Sequence, residues 1–529
     1  MRVRGRLVAS MTAVLMCTAL VSGCQVHLFG PSTTGAPVGA LPTPAVTFAG
    51  YDSPDRQHLP PSDAKPAGFT TPPPGSGISR YLRQRLDWRS CGQFECATAK
   101  APLDWQDPNG QAITLALKRA KATAQPRLGS LFINPGGPGG SAQDYLGSLD
   151  RQGLEGYDII AMDPRGSGAS TPVKCGDGPQ TDAYLNVDSS PDTQAERDAL
   201  VAATKEFARQ CHQNSGTLLD HISSIDTIYD FDMVRQIVGD PKFNYLGVSY
   251  GTWLGALYAD LYPANVGRMV LDSPVNITDD QSVVQADGFE LNLHSYAQWC
   301  ANQHCFLGAT PGQVITGIQN FFARLDKTPL QVGSRQLTQS LAVSGLIAFF
   351  YSGADGYPTL TNFLQQAIEH GNGQYLLAAA DLMNERNTDG SYGQLMYSFP
   401  AIQCADAGDK GVQDAWNQWV IDSTSAPVMG RLLGPNITCP LWAAAPAPQV
   451  NISATDVPPL LIVSNIGDSA TPHQFAQWMQ QRIAGSVLVS RQASGHGAYE
   501  SGSHCLDTVV RTFLASDSLP ANGTVCSDG

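Results

Sequence analysis

The sequence predicts an α/β protein with a mostly parallel sheet, helices on both faces and a large helical insertion. Short apolar runs separated by helix-sized intervals occur at residues 130–133, 157–162, 243–248, 268–271, 460–463 and 487–489. Strands that alternate with helices usually pair in parallel and are covered on both faces. The interval between residues 271 and 460 is far longer than one crossover helix needs, and its apolar residues recur at helical spacing.

A sharp turn from strand to helix is predicted at Ser249. The apolar run at 243–248 ends in Gly247-Val248-Ser249-Tyr250-Gly251 and leads into a stretch of helical character. G-x-S-x-G in this context indicates a nucleophile elbow, which exposes a serine hydroxyl at the bend. The turn is so tight that the residues two before and two after the serine must be small. Ser249 is therefore the predicted nucleophile of a serine hydrolase.

The general base is predicted from its position in the chain. In hydrolases with a nucleophile elbow the order along the chain is Ser, then Asp or Glu, then His. His496 lies between two glycines, follows the apolar run at 487–489 and is near the C-terminus. His504 is the alternative.

The acid of the triad is predicted at Asp468, in the segment 466–472 that directly follows the strand predicted at 460–465. A carboxylate at this strand end can accept a hydrogen bond from His496 and fix its tautomer. The alternative role for Asp468 is a turn or helix N-cap before Thr471. Asp456 precedes the strand and would lie at the opposite edge of the sheet.

An oxyanion hole needs two N–H donors. One is predicted to be the amide of Tyr250, which follows the nucleophile. The other is expected from the glycine-rich loop at residues 134–141, at either Gly136 or Gly137, because glycine lets the backbone approach a substrate closely. A phosphate-binding loop is the competing interpretation, but neither G-x-x-x-x-G-K-[ST] nor a G-x-G-x-x-G that opens a helix is present.

A second turn follows the run at 157–162. The turn contains Asp163 and Arg165, for which we expect a structural role: the two side chains pair with each other and brace the oxyanion loop.

A hairpin at 112–117 that leads into a parallel sheet fits the α/β-hydrolase fold. The insertion would form a helical cap over the edge where such sheets bind ligands, and would shape specificity. The predicted division is a signal peptide at 1–23, a flexible Pro/Gly-rich tether at 24–77, core at 78–275, cap at 276–450 and core at 451–529.

The N-terminus predicts export. Three arginines precede an apolar stretch at 7–21, which is too short for a membrane span and is typical of a signal peptide. The stretch ends in Val21-Ser22-Gly23-Cys24, the pattern of a bacterial lipobox, so Cys24 is the predicted lipid attachment site on the outer face of the cell membrane. The alternative is ordinary secretion with an incidental Cys24.

Cysteine number agrees with export. Twelve cysteines become ten when Cys17 in the signal and Cys24 are set aside, and an even number in an exported chain indicates disulfides. Proximity favours the pairs Cys91–Cys96, Cys175–Cys211, Cys300–Cys305, Cys404–Cys439 and Cys505–Cys526. No metal site or cofactor is expected, since no C-x-x-C pair or H-x-x-x-H pattern occurs. A net charge of −14 without a basic patch excludes nucleic acid as a partner.

Five motifs occur in order: Asn134-Pro135-Gly136-Gly137-Pro138-Gly139, Asp163-Pro164-Arg165-Gly166, Gly247-Val248-Ser249-Tyr250-Gly251, Gly467-Asp468 with Thr471-Pro472, and Gly495-His496-Gly497. Over about residues 82–526 the chain resembles secreted tripeptidyl aminopeptidases of actinobacteria, including mycobacterial lipoprotein relatives described as carboxylesterase or protease. More distant are the proline iminopeptidases, which have a histidine before G-G-P-G where this chain has Asn134-Pro135. The resemblance implies the triad of Ser249, Asp468 and His496 and a capped hydrolase fold. It also implies cleavage near a free N-terminus with the substrate amine held by acidic side chains, none of which the sequence identifies.

The leading hypothesis is a cell-envelope serine peptidase that removes short peptides from free N-termini. A carboxylesterase or lipase with the same triad is the alternative, because both reactions use the same acyl-transfer groups. The third hypothesis is a catalytically inactive binding lipoprotein on the same scaffold.

Overall fold

The computed structural model describes residues 53–528. The predicted signal peptide, Cys24 and the first part of the predicted tether lie outside these residues. Within them, no helix combines the length and apolar character needed to cross a bilayer.

Ten strands form one sheet in the order β1-β2-β3-β5-β4-β6-β7-β10-β11-β12. The first four strands in this order pair antiparallel, and every later pair is parallel. A mostly parallel sheet entered through an antiparallel hairpin confirms the predicted fold class. The strands are β1 Arg89–Cys91, β2 Phe94–Pro102, β3 Ala112–Ala120, β4 Gly129–Asn134, β5 Tyr157–Met162, β6 Phe243–Val248, β7 Val266–Asp272, β10 Leu461–Gly467, β11 Val487–Ser494 and β12 Thr524–Cys526, with β8 Leu330–Val332 and β9 Arg335–Leu337 in a separate hairpin.

Helices cover both faces of the sheet because successive strand residues point to opposite sides. On β4, Leu131 and Ile133 pack in one core with helices α2 and α16, whereas Phe132 packs in the core on the other face. The helices outside the insertion are α1 Ser79–Leu82, α2 Ala142–Ser148, α3 Gly178–Leu185, α4 Gln194–Ser215, α5 Ser224–Val238, α6 Tyr250–Leu261, α15 His473–Arg482 and α16 His504–Ser516.

The insertion between β7 and β10 is largely helical. It contains α7 Gln285–Asn302, α8 Pro311–Lys327, α9 Gln339–Tyr351, α10 Tyr357–His370, α11 Gln374–Met383, α12 Leu395–Asp406, α13 Val412–Ser425 and α14 Met429–Leu433. Its apolar core is continuous with that of the sheet face bearing Phe132. Helix α13 differs from its neighbours because none of its residues is buried.

The segment at 53–57, which we call the arm, is attached to the rest of the protein although it lies in the predicted flexible tether. Ser53 Oγ donates to the carbonyl of Pro440 (3.2 Å), and the amide of Val412 donates to Asp55 Oδ2 (2.7 Å). Arg56 donates to Asp409 and to the carbonyl of Ala444. The structure differs from the tether prediction here because these few polar side chains find partners far along the chain, which composition does not reveal.

All five predicted cysteine pairs are disulfide-bonded. Three pairs close loops of 21 to 36 residues, and two close loops of five. Disulfides persist in oxidising compartments, so the five bonds agree with an exported protein.

The expected pairing of Asp163 with Arg165 is wrong. Arg165 is fully buried and bonds Asp230 on α5 through two nitrogens, Nε at 2.7 Å and Nη2 at 2.8 Å. Its remaining donors reach backbone carbonyls, including that of Leu103. Asp163 instead accepts hydrogen bonds from Ser141 and from the Gln143 amide, so it braces the oxyanion loop without the arginine.

We predict that Arg165→Ala lowers the free energy of unfolding by about 3–5 kcal/mol, because Asp230 would be left buried without its cation. Burial already raises the pKa of Asp230 to about 6 against the opposing charge of Arg165. Urea unfolding measures the loss. The matched control is Arg209→Ala, whose partner Glu206 is about half exposed, and which should change stability by less than about 1 kcal/mol. Equal losses in the two variants would contradict the prediction.

Candidate active site

Ser249 lies at a strained turn between β6 and α6. Its backbone has φ 57° and ψ −124°, a conformation that non-glycine residues rarely adopt. The turn is held from both sides: the Ser249 amide donates to the carbonyl of Asp272 (2.9 Å), and the Ser249 carbonyl accepts from the amide and hydroxyl of Thr252 (2.8 and 2.6 Å). This is the geometry that the G-x-S-x-G pattern predicts.

The two glycines of the motif are required by close backbone approach. A Cβ on Gly247 would lie 2.4 Å from the carbonyl oxygen of Gly251, and one on Gly251 would lie 2.8 Å from that of Asn134. Real Cβ atoms do not approach other atoms this closely, so any side chain at either position would force the turn apart.

His496 and Asp468 meet at the carboxyl ends of β11 and β10. His496 Nδ1 lies 2.9 Å from Asp468 Oδ1 and 3.1 Å from Oδ2. Asp468 is fully buried, and its Oδ1 also accepts from the amides of Ala470 (3.0 Å) and Thr471 (2.8 Å). The carboxylate therefore fills both roles considered for it, since it stabilises its own turn and holds the imidazole.

The imidazole of His496 is oriented by three contacts besides Asp468. The backbone amide of His496 donates to the carbonyl of Tyr351 on α9 (2.9 Å). The rings of Tyr351 and His496 also meet edge to face, with their centroids 5.2 Å apart. Thr471 Oγ1 lies 3.3 Å from Nδ1 and 3.0 Å from the carbonyl of Ser273. Among the described residues, the buried Nε2 of His496 has no hydrogen-bond partner. A nitrogen in this state is available to exchange a proton with a neighbouring hydroxyl.

Electrostatics favour the charged form of His496. Burial by itself would lower the pKa of the imidazole, but the charge and hydrogen bond of Asp468 outweigh it, with a smaller contribution from Asp272. The net effect raises the pKa above its ordinary value. An imidazolium formed at this position is therefore stabilised.

The glycine-rich loop passes directly against the elbow. A Cβ on Gly136 would lie 2.8 Å from the amide nitrogen of Tyr250 and 3.0 Å from Ser249 Cβ. The Gly136 amide itself donates to Asn134 Oδ1 (2.8 Å), so it is already engaged. Gly137 lines a cleft together with Ser249. Both glycines have positive φ (92° and 111°), which explains the residue type.

The cleft extends from Ser249 to the cap. Besides Gly137 and Ser249, its wall includes Tyr351 and Thr471, which together with Asp468 contact the imidazole of His496. The cap contributes much of the opposite wall, with Asp414, Gln418, Trp419 and Asp422 of α13 and the loop at 407–411 among its members.

Two clusters bring three potential metal-ligand atoms within 4.8 Å of one another among residues 53–528. Cys505, Cys526 and Asp528 form one, but its two sulfurs are joined in a disulfide and are not thiolates. Asp188, Glu196 and Asp326 form the other. Neither cluster belongs to the lining of the Ser249 cleft.

Sequence reasoning missed two carboxylates that contact the site, of which Asp272 is buried and Asp406 partly buried. Asp272 ends β7 and accepts hydrogen bonds from amides of the loop after His496. Asp406 ends α12 in the cap and bonds both the hydroxyl of Tyr250 and Ser224. A sequence feature that could have identified Asp272 was present, since Asp272 ends a parallel strand at the same sheet edge as Ser249. No local pattern marks Asp406.

Comparison with known proteins identifies the family of this chain. A family model described as alpha/beta hydrolase fold matches residues 129–309, and one described as TAP-like protein matches residues 426–526. The tripeptidyl aminopeptidase of Streptomyces lividans is 31% identical over 487 residues, which cover 85% of this chain and 88% of the relative. The chain belongs to the TAP-like family of α/β-hydrolases.

Other members of the TAP-like family carry different names. Serine protease Hip1 of Mycobacterium tuberculosis (strain H37Rv) is 31% identical over 484 residues, which cover 84% of this chain and 91% of the relative. Carboxylesterase B of the same strain is 30% identical over 501 residues, covering 88% and 95%. Aminopeptidase, serine protease and carboxylesterase are all hydrolases, so this TAP-like chain is a hydrolase as the sequence predicts.

Proposed function

We propose that the protein is an exported serine peptidase that releases short peptides from free N-termini. Ser249 is the nucleophile, His496 the general acid and base, and Asp468 the residue that orients the imidazole. The observation that carries the proposal is that the strained Ser249 turn lines a cleft, and that other residues of the cleft wall contact a buried His496–Asp468 pair. The pair fixes the proton on Nδ1 and leaves Nε2 to accept the proton of Ser249.

The reaction would run in two acyl-transfer steps. Ser249 Oγ attacks the scissile carbonyl while His496 Nε2 takes the hydroxyl proton, which then passes to the leaving amine. Water attacks the acyl-enzyme with His496 again as the base, and Ser249 is regenerated with release of the peptide acid. In both steps Asp468 stabilises the imidazolium.

The tetrahedral oxyanion would be held by the amides of Tyr250 and Gly137. Tyr250 follows the nucleophile at the start of α6, where backbone N–H groups have no helical partner. Gly137 is favoured over Gly136 because it lines the cleft with Ser249. Loss of one such donor costs on the order of 3 kcal/mol of transition-state stabilisation.

Acidic side chains in the cap support a substrate with a free amine. Asp422 of α13 lines the cleft and accepts a hydrogen bond from Gln418 (2.8 Å). Burial raises the pKa of Asp422, and the nearby charge of Asp287 raises it further. Among the described residues, Asp422 forms no ion pair. A partly buried carboxylate without a cation favours a positively charged ligand group.

A carboxylesterase is the second candidate, supported by the relative named Carboxylesterase B. Nothing in the proposed acyl-transfer step distinguishes an ester from an amide, so the cap would decide between them. An inactive binding protein is the weakest candidate, because backbone strain of the kind seen at Ser249 is kept where function needs it.

We further propose that Cys24 carries a lipid that holds the enzyme on the outer face of the cell membrane. The support is the sequence Val21-Ser22-Gly23-Cys24 after an apolar stretch. Cys24→Ala is expected to move the protein from the membrane fraction to the soluble fraction after cell lysis. Unchanged membrane retention would rule out lipid as the sole anchor.

The nucleophile is tested by labelling with a fluorophosphonate probe, which reacts with activated serines. Ser249→Ala should abolish labelling, and Asp468→Asn should lower kcat on a peptide or ester substrate by roughly 10⁴-fold because the imidazole is then held in the wrong tautomer. Ser516→Ala, at an exposed position at the end of α16, is the matched control and should label like the wild type. Labelling that persists in Ser249→Ala would refute the assignment.

Substrate class is tested with a tripeptide amide, its N-acetylated form and a short-chain ester. We expect turnover of the free tripeptide amide to exceed that of the acetylated form, and Asp422→Asn to raise KM for the free form by about 10- to 100-fold through loss of a charge-assisted hydrogen bond. KM for the acetylated form should not change. Asp198→Asn, exposed on α4, is the control. Equal turnover of both peptide forms, or turnover of the ester alone, would contradict the aminopeptidase proposal.

A further inference from the structure

A buried carboxylate holds the loop that carries His496. Asp272, at the end of β7, is about 1% exposed. Its Oδ1 accepts from the amide of Ala498 (2.9 Å), and its Oδ2 accepts from the amide of Tyr499 (3.0 Å). The neighbouring Ser273 hydroxyl donates to Asp272 Oδ1 (3.1 Å) and accepts from the amide of Gly497 (3.1 Å).

Four consecutive amides of this loop are therefore satisfied by neighbouring elements. The His496 amide reaches α9 at Tyr351, and the next three reach the end of β7 through Asp272 and Ser273. The side chain of Asn465 on β10 also donates to the carbonyls on either side of His496, at 3.0 Å each. Because Ser249 donates its own amide to the Asp272 carbonyl, one residue fixes the backbone of both nucleophile and base.

The charge of Asp272 also acts on the imidazole. It contributes to raising the pKa of His496, in the same direction as Asp468. Burial in turn raises the pKa of Asp272 to about 6, while the two loop amides and the charge of His496 oppose that rise. At neutral pH the carboxyl is ionised, so His496 is next to two negative charges.

We propose that Asp272 is a positioning residue for catalysis: it fixes the loop that carries His496 and supplies a second negative charge that stabilises the imidazolium. The inference rests on the proposed function, since it requires His496 to be the general base. The effect of the Asp272 charge distinguishes this role from a purely structural one. A hydrogen-bond acceptor without charge would hold the loop but would leave the titration of His496 unchanged.

Other titratable groups surround this loop. Tyr145 of α2 faces Asp272, and burial raises its pKa well above the ordinary value. Glu500 follows the loop and accepts from the Asp150 amide; burial raises its pKa to about 7. Arg511 of α16 partly compensates that charge. Glu500 titrates in the same range as Asp272, so the experiment must separate the two.

The test is the rate of fluorophosphonate labelling as a function of pH, which needs no knowledge of the natural substrate. Labelling requires neutral His496, so the rate falls on the acid side as the imidazole becomes protonated. The acid limb of the profile is this fall in labelling rate at low pH. Asp272→Asn removes a negative charge, lowers the pKa of His496 and should move the midpoint of the acid limb to lower pH by roughly half to one unit. The maximal rate should fall roughly tenfold as the imidazolium loses stabilisation.

Two controls separate charge from structure. Ser273→Ala removes hydrogen bonds to Asp272 and to the loop but keeps the charge, so it should slow labelling without moving the acid limb. Glu500→Gln removes the other carboxyl that titrates near this range and should also leave the limb in place. A shift in either control equal to that in Asp272→Asn would overturn the inference, as would an unshifted limb in a folded Asp272→Asn protein.

If Asp272→Asn does not fold, Asp272→Ser replaces it, because a hydroxyl can accept from a loop amide and adds one donor where the asparagine amide adds two. The wild type supplies an independent measurement. The ring proton on Nδ1 of His496, followed by proton NMR, should show a second inflection near pH 6 as Asp272 is protonated; its absence would overturn the inference. Failure of the wild type to label at any pH would instead refute the proposed function, so the two failures are distinguishable.

Discussion

The site depends on how closely three backbone segments approach one another at Ser249. The end of β6, the first turn of α6 and the oxyanion loop lie so near together that Gly136, Gly247 and Gly251 have no room for a side chain. This contact forces Ser249 into its strained conformation and brings the amide of Tyr250 beside the loop. The order of the parallel strands then determines which other residues reach this point, because β7, β10 and β11 follow β6 in the sheet and end at the same edge.

The sequence predicted the parts of the site that follow from local chemistry. The turn at Ser249, the glycine-rich loop and Asp468 each follow a predicted strand. Their backbone or charge requirements can be recognised from a few consecutive residues. The disulfides were predictable because sequence neighbours were paired. The predicted partner of Arg165 was wrong because its actual partner is distant in sequence. Asp230 lies 65 residues away on α5, and nothing in the sequence places that helix over the turn that contains Arg165. Asp406 was missed because its partners Tyr250 and Ser224 lie 156 and 182 residues away and no local pattern marks them, whereas Asp272 was missed although it ends a strand at the same sheet edge as Ser249.

Three carboxyl groups lie at the site. Asp468 accepts hydrogen bonds from two amides and contacts the imidazole. Burial raises the pKa of Asp272 and that of Asp406 to about 6. Asp406 connects the cap to the core because it ends α12 and bonds the hydroxyl of Tyr250, the residue after Ser249. The cap is thus bonded directly to the turn that carries Ser249, and its core is continuous with one face of the sheet.

The arm has a consequence for the time at which the cleft is completed during synthesis. Its residues leave the ribosome early, but their partners between Asp409 and Ala444 follow some 350 to 390 positions later. Loop residues 408–411 and Pro440 line the cleft, so that wall cannot be assembled until most of the chain has emerged. His496 emerges later still. The nascent protein therefore has no complete site, and a chain interrupted before residue 496 would carry Ser249 without His496.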